Sequence, residues 1–147
     1  MQKLYNLFVP AEYHFKNHFL PKIKNPDLDC FEVDDSRQGV QRKDNNHLVV
    51  FLDFCLKGPP EQFLEEAKND NYSYHFRSPQ DVELFTKTFG QQKEVALFSL
   101  SFRPQMTVLA WKLLIDIAED ERTLVEDEEG RLLNGAHCVQ ELKQMMA

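Results

Sequence analysis

Cysteine is scarce in this chain and unpaired: Cys30, Cys55 and Cys138 are far apart, odd in number and form no Cys-x-x-Cys motif. That excludes a disulfide framework and offers no zinc motif, so reduced thiols in the cytoplasm are expected. Glycine occurs five times, singly, at 39, 58, 90, 130 and 135. No glycine-rich loop is therefore present to cradle a phosphate. Positive charge is outweighed, with 17 Lys and Arg against 24 Asp and Glu for a net charge of −7. Such a balance argues against a nucleic-acid partner and suits a basic one. Long apolar runs are missing too. No stretch approaches the ~18 residues that suggest a membrane span, and residues Met1 to Pro10 lack the basic, apolar, then small pattern of a secretory leader.

What is present is enough for one folded domain. Hydrophobic residues make up 42% of the 147, with twelve Phe, and a chain of this length buries roughly two-thirds of the surface it exposes when unfolded. The most apolar helical stretch is Met106 to Asp120. From Met106 to Ala118, only Thr107, Lys112 and Asp116 are polar, and Lys112 and Asp116 share one face of a helix. This stretch is expected to be the core helix, covered on most sides.

Around it, residues 1–28 read as an N-terminal arm rich in aromatics and punctuated by Pro10, Pro21 and Pro26. A short helix over Ala11 to Leu20 is expected within it. Residues 29–147 form the domain proper. Strands are expected at Cys30–Val33, Leu48–Leu56, Tyr72–Arg77 and Glu94–Phe102 from apolar runs or period-two alternation. Asp34–Asn46 reads as a turn or exposed hairpin. Helices are expected at Glu61–Asn69, after the Ser78-Pro79 start, and at the C-terminus where Val139, Leu142 and Met146 share a face. A hairpin or a strand ending in a loop is expected from Thr123 to Leu133. The order predicts an α+β fold, a single antiparallel or mixed sheet with helices packed on one face, with a ferredoxin-like arrangement as the first candidate.

Few residues carry a chemical signal. Asp53 is the one acid within a strongly apolar strand. A buried acid needs a partner, and Arg77 or Arg103 could supply it, with His75 completing a cluster. Glu126, Asp127, Glu128 and Glu129 form an acidic turn before Gly130. Aligning Gly130 with the invariant EF-hand glycine puts Val125 and Ala136 at ligand positions, so calcium is not expected. His14 and His18 have metal-pair spacing, but no third ligand stands nearby, and surface histidines are expected instead. Neither a nucleophile motif nor a cofactor motif is found: Ser99 and Ser101 lack a G-x-S-x-G turn, and Cys55 sits in an apolar strand.

Two functions fit these residues. The first is a non-catalytic protein-binding domain whose acidic surface recognises a basic partner, as bacterial immunity proteins do with toxins, by analogy of class alone. The second is a small enzyme or ligand-binding domain with a pocket near Asp53, His75 and Arg77 or Arg103. A homodimer built through the sheet edge or the aromatic arm, with Phe8, Tyr13, Phe15 and Phe19 protected by the second copy, is a third arrangement.

Overall fold

The computed structural model describes residues 2–69, 72 and 74–146. Seven strands form one antiparallel sheet: β1 (Lys3–Pro10), β2 (Leu28–Glu32), β3 (Arg37–Arg42), β4 (Leu48–Gly58), β5 (Val95–Phe102), β6 (Leu124–Glu126) and β7 (Leu132–Asn134). Their order across the sheet is β2-β3-β4-β5-β1-β6-β7. Among the described residues four α-helices accompany them: α1 (Pro60–Glu66), α2 (Pro79–Phe89), α3 (Thr107–Ile117) and α4 (Gly135–Met146). The fold is α+β with a single sheet, as expected. Its element order is not the β-α-β-β-α-β of a ferredoxin-like domain.

The sheet has two covered faces because its central strands are apolar on both sides. In β5 all eight residues are buried. Ala96, Phe98, Leu100 and Phe102 join a core with Tyr5, Leu7 and Val9 of β1 and with Ala110, Leu113, Leu114 and Ile117 of α3, where Cys138 and Leu142 of α4 also pack. Val95 and Leu97 point the other way, into a second core with Phe8, Phe63 of α1, and Phe85 and Phe89 of α2. The helices therefore divide between the faces, α3 and α4 on one and α1 and α2 on the other, where packing on a single face was expected. Alternation with period two makes this possible, since each strand can feed two cores at once.

Local rules account for several boundaries. The Ser78 hydroxyl accepts the Asp81 N–H at 3.1 Å and Pro79 occupies the first turn of α2, as a capped helix start requires. The β6–β7 turn places Gly130 at φ 83°, and the β3–β4 turn places Asn46 at φ 58°, the left-handed region that Gly and Asn tolerate best.

Five expectations are corrected. Residues 3–10, expected within an arm, form β1, which is paired with β5 on one side and β6 on the other. The aromatics of the N-terminal segment mostly serve this chain's own core: Phe8, Tyr13 and Phe19 are buried without a second copy. The segment after β1 makes a π-helical turn at Phe15–Phe19 and a 3-10 turn at Leu20–Lys22 in place of a regular helix. Residues 74–77 run alongside the sheet without joining it, and Ser73, part of the expected strand, lies outside the described residues. Their Tyr74 and Phe76 do face inward, as the alternation suggests. Finally, α3 is less enclosed than its composition implies, since Val108 is 53% exposed.

Phe8 is the hinge of the second core, with its ring edge-to-face against Phe63, Tyr74, Phe76 and Phe85 at 5.4–5.8 Å. Edge-to-face pairs add to simple burial. Phe8→Ala should lower unfolding free energy by about 3–5 kcal/mol in urea titrations. A loss under about 1 kcal/mol would mean that this core does not depend on β1.

Candidate functional site

Asp53 has a partner, and it is Arg37. The two residues face each other across β3 and β4. The guanidinium donates from Nε to Oδ1 at 2.6 Å and from an Nη to Oδ2 at 3.0 Å. The same guanidinium lies over the Phe51 ring at 4.3 Å. With both side chains partly exposed, at 40% and 24%, the pair is worth no more than about 1 kcal/mol. It is a cross-strand tie on an open part of the sheet.

The expected cluster does not form. His75 is exposed, and the Arg77 guanidinium donates to the backbone carbonyls of His75 and Ala67. Arg103 is exposed at the end of β5. The His75 backbone is bonded to Glu126 on β6, and β6 is three strand positions from β4. At ~4.8 Å per position, Asp53 is about 14 Å from Glu126, the residue that holds the His75 backbone. Arg37 escaped notice because it lies in a polar stretch that reads as a turn. Only the register of β3 brings it opposite Asp53.

The acidic run splits into two environments. Glu126, expected to be solvated, is 2% exposed. Its Oε1 accepts from the Asn6 amide at 2.8 Å, and its Oε2 accepts the backbone N–H groups of His75 and Phe76, each at 2.9 Å. This carboxylate is what ties residues 74–76 to the sheet. Burial holds its pKa above the usual Glu range, against the opposing pull of those donors. The chain of bonds continues: the Ser99 hydroxyl donates to Asn6 Oδ1 at 3.1 Å, and the Cys55 thiol lies 3.1 Å from Ser99 Oγ. Since Ser99 gives its proton to Asn6, the one Cys55 S–H has two acceptors in reach, Ser99 Oγ and, at 3.7 Å, the Asp53 carbonyl. Four strands are thus crossed by one polar line. Desolvation raises the Cys55 thiol, so it stays protonated at neutral pH and is not an activated nucleophile. Burial likewise pushes Cys138 up to about 12.

Asp127, Glu128 and Glu129 remain at the surface turn. Asp127 Oδ1 accepts the N–H groups of Glu129 and Arg131, and its Oδ2 pairs with Arg131 at 3.2 Å. Arg131 also bonds Glu141 of α4. Glu128 is 3.8 Å from Lys3. Between this turn and α4 lies a cleft of about 470 Å³, with Tyr5, Leu133, Cys138, Leu142 and Met145 among the lining residues and Asp127, Glu128, Glu129, Arg131 and Glu141 supplying the charge. A second cleft, of about 540 Å³, opens between the π-helical segment and β2–β4. Asp53, His75, Arg77 and Arg103 line neither.

The wall of the larger cleft is anchored by Tyr13. Its phenol donates to Asp120 and accepts from Arg122 at 3.1 Å, and the His18 ring stacks on it at 4.1 Å. Lys22 approaches Asp120 to 3.5 Å. His18 Nδ1 accepts the His14 backbone N–H at 3.4 Å. Among the described residues no group of three or more His, Cys, Asp or Glu is placed to hold a metal ion, and no helix is long and apolar enough to cross a membrane. No family model, characterised protein or solved structure matches the chain.

Two predictions follow from these carboxylates. Glu126→Ala leaves three donors, two of them in buried bonds, without their acceptor and should cost about 3 kcal/mol or more. Amide exchange at His75 and Phe76 should quicken more than elsewhere, and unchanged exchange there would show that residues 74–76 are held by packing alone. For Asp120, burial raises the pKa, but the Tyr13 phenol, the Arg122 N–H and the Lys22 and Arg122 cations outweigh it, leaving a lowered value. A lowered acid contributes fully above its ordinary 3.8 and loses that contribution as pH falls through its folded value. Protection of the Tyr13 amide should therefore weaken as pH falls below about 4 in the wild type. Asp120→Asn should already be loosened at neutral pH and lack that acid step.

Proposed function

We propose that this chain is a non-catalytic binding domain that takes a basic protein partner at the cleft between the β6–β7 turn and α4. The observation that carries the reading is the composition of that cleft. Four carboxylates, from Asp127, Glu128, Glu129 and Glu141, surround an apolar floor, with Arg131 as the one cation among its lining residues. Glu128 and Glu129 are exposed, and α4 supplies Leu142 and Met145 beside them. An amphipathic basic segment would meet both features, with apolar side chains on the floor and Lys or Arg toward the rim. The chain's net charge of −7 adds long-range attraction that speeds encounter with a cation. Inhibition of a basic enzyme, in the manner of bacterial immunity proteins, is the specific form of this reading.

The enzyme alternative draws less support. Asp53 is tied to Arg37, His75 and Arg77 belong to a different part of the sheet, and the cysteine thiols are all raised by burial.

The test is a titration of the ¹⁵N-labelled chain with an amphipathic lysine- and leucine-containing peptide, followed by amide shifts. Shifts should cluster at residues 127–133 and 138–145. Raising salt should weaken binding, and the double variant Glu128→Lys, Glu129→Lys should weaken it about tenfold or more. Shifts scattered over the surface, or an affinity indifferent to both salt and charge reversal, would remove the basis for the reading.

A further inference from the structure

The larger cleft is independent of the acidic one, and its chemistry differs. Its floor is aromatic and apolar. Phe98 packs edge-to-face on Phe54 at 5.4 Å and on Phe19 at 5.1 Å, and Leu52 and Phe15 complete the lining. Phe54 is 38% exposed, so part of its ring is free to meet a ligand in the cleft. Two departures from regular backbone flank the opening. The π-helical turn at Phe15–Phe19 forms one wall, and the register of β4 against β5 shifts between Phe54 and Leu56 at its floor. A bulge there re-aims the strand and keeps Phe54 turned into the cleft, with Lys57 beyond it.

The rim is charged with both signs, and Glu32 and Lys57 stand well apart on it. Lys57 stands at the far end of β4 and Lys16 on the π-helical segment, whereas Glu32 and Asp35 come from the end of β2 and the β2–β3 turn. Glu32 is opposite Gln38, which is opposite Leu52. Glu32 thus sits two strand positions from β4, and Lys57 lies several residues along β4 from Leu52. With strands ~4.8 Å apart and ~3.3 Å per residue, the Glu32 and Lys57 Cα atoms are about 16–19 Å apart. Side chains reaching inward from both ends leave room for a few residues of extended chain. The volume, about 540 Å³, falls in the range of small-ligand sites.

We propose that this cleft binds a short zwitterionic peptide with an aromatic side chain. The aromatic side chain packs on Phe54 and Phe98, the ammonium end faces Glu32 and Asp35, and the carboxylate end faces Lys57. A simple anion or cation would satisfy one end and meet like charge at the other, so the paired rim selects a molecule carrying both.

The probe is the tripeptide alanyl-phenylalanyl-alanine, titrated into the intact chain by calorimetry and by amide shifts. The free tripeptide should bind, with shifts at residues 14–17, 32–38 and 52–57. N-acetylation and C-terminal amidation, each removing one charge, should each weaken binding about tenfold. Phe54→Ala should abolish it. Because Phe54 also packs on Phe98, Lys57→Glu provides a second variant at an exposed position, and it should weaken the free peptide while leaving the amidated form unchanged. Glu128→Lys with Glu129→Lys should leave tripeptide binding intact, which separates this site from the acidic cleft. No binding up to about 5 mM, a Kd at the weak limit of specific recognition, would overturn the proposal. So would equal binding of the free and capped forms, sensitivity to only one cap, or indifference to both cleft variants.

Discussion

The structure depends on a pairing made by the first residues of the chain. β1 fills the place between β5 and β6, so Leu7 is opposite Phe98 on one side and Val125 on the other. Without β1, neither β5 nor β6 has its neighbour, and the sheet divides into two parts. The contacts are also remote in sequence. They close loops of roughly ninety to one hundred and twenty residues, an entropic cost that grows only slowly with loop length but delays folding. Strong burial offsets it, since Tyr5 through Pro10 are all buried, six of the eight residues of β1.

A strand covered on both faces sets the rest of the architecture. β1 and β5 present apolar residues to two sides, and each side requires its own layer. α3 and α4 supply one, and α1, α2 and the Tyr74–Phe76 segment supply the other. The second layer is partial. It covers Phe8, Val95 and Leu97, but beyond them the same face carries Asn6, Ser99, Asp53 and Arg37, joined by hydrogen bonds and an ion pair. Polar residues are tolerated there because each finds a partner within the sheet face. Glu126 is the extreme case, a buried carboxylate that offsets its desolvation with three N–H donors and thereby fastens a segment outside the sheet.

Both clefts lie where regular structure ends. One borders the π-helical turn and the bulge in β4, and the other borders the β6–β7 turn and α4. Neither can be closed by the helices that cover the cores, because those helices are short and are held over the apolar parts of the sheet. The clefts are therefore residual spaces left by a two-layer cover on a seven-stranded sheet, and their rims take the charges that the cores exclude.

By itself the sequence determined the elements whose signals are local: the apolar β4 and β5, the capped start of α2, the helical run of α3, the β6–β7 hairpin and the single-sheet α+β class. These rest on periodicity, capping and turn chemistry, which operate over a few residues. It did not disclose β1 or β3, since Pro10 and the aromatics of the first segment resemble an arm, and Arg37–Arg42 resembles a polar turn. Only tertiary structure decided those, along with the partner of Asp53, the burial of Glu126 and the two-sided placement of the helices. The physical reason is the same in each case: hydrogen bonds between strands and the pairing of a carboxylate depend on register across long loops, and register leaves no mark on the residues of either strand alone.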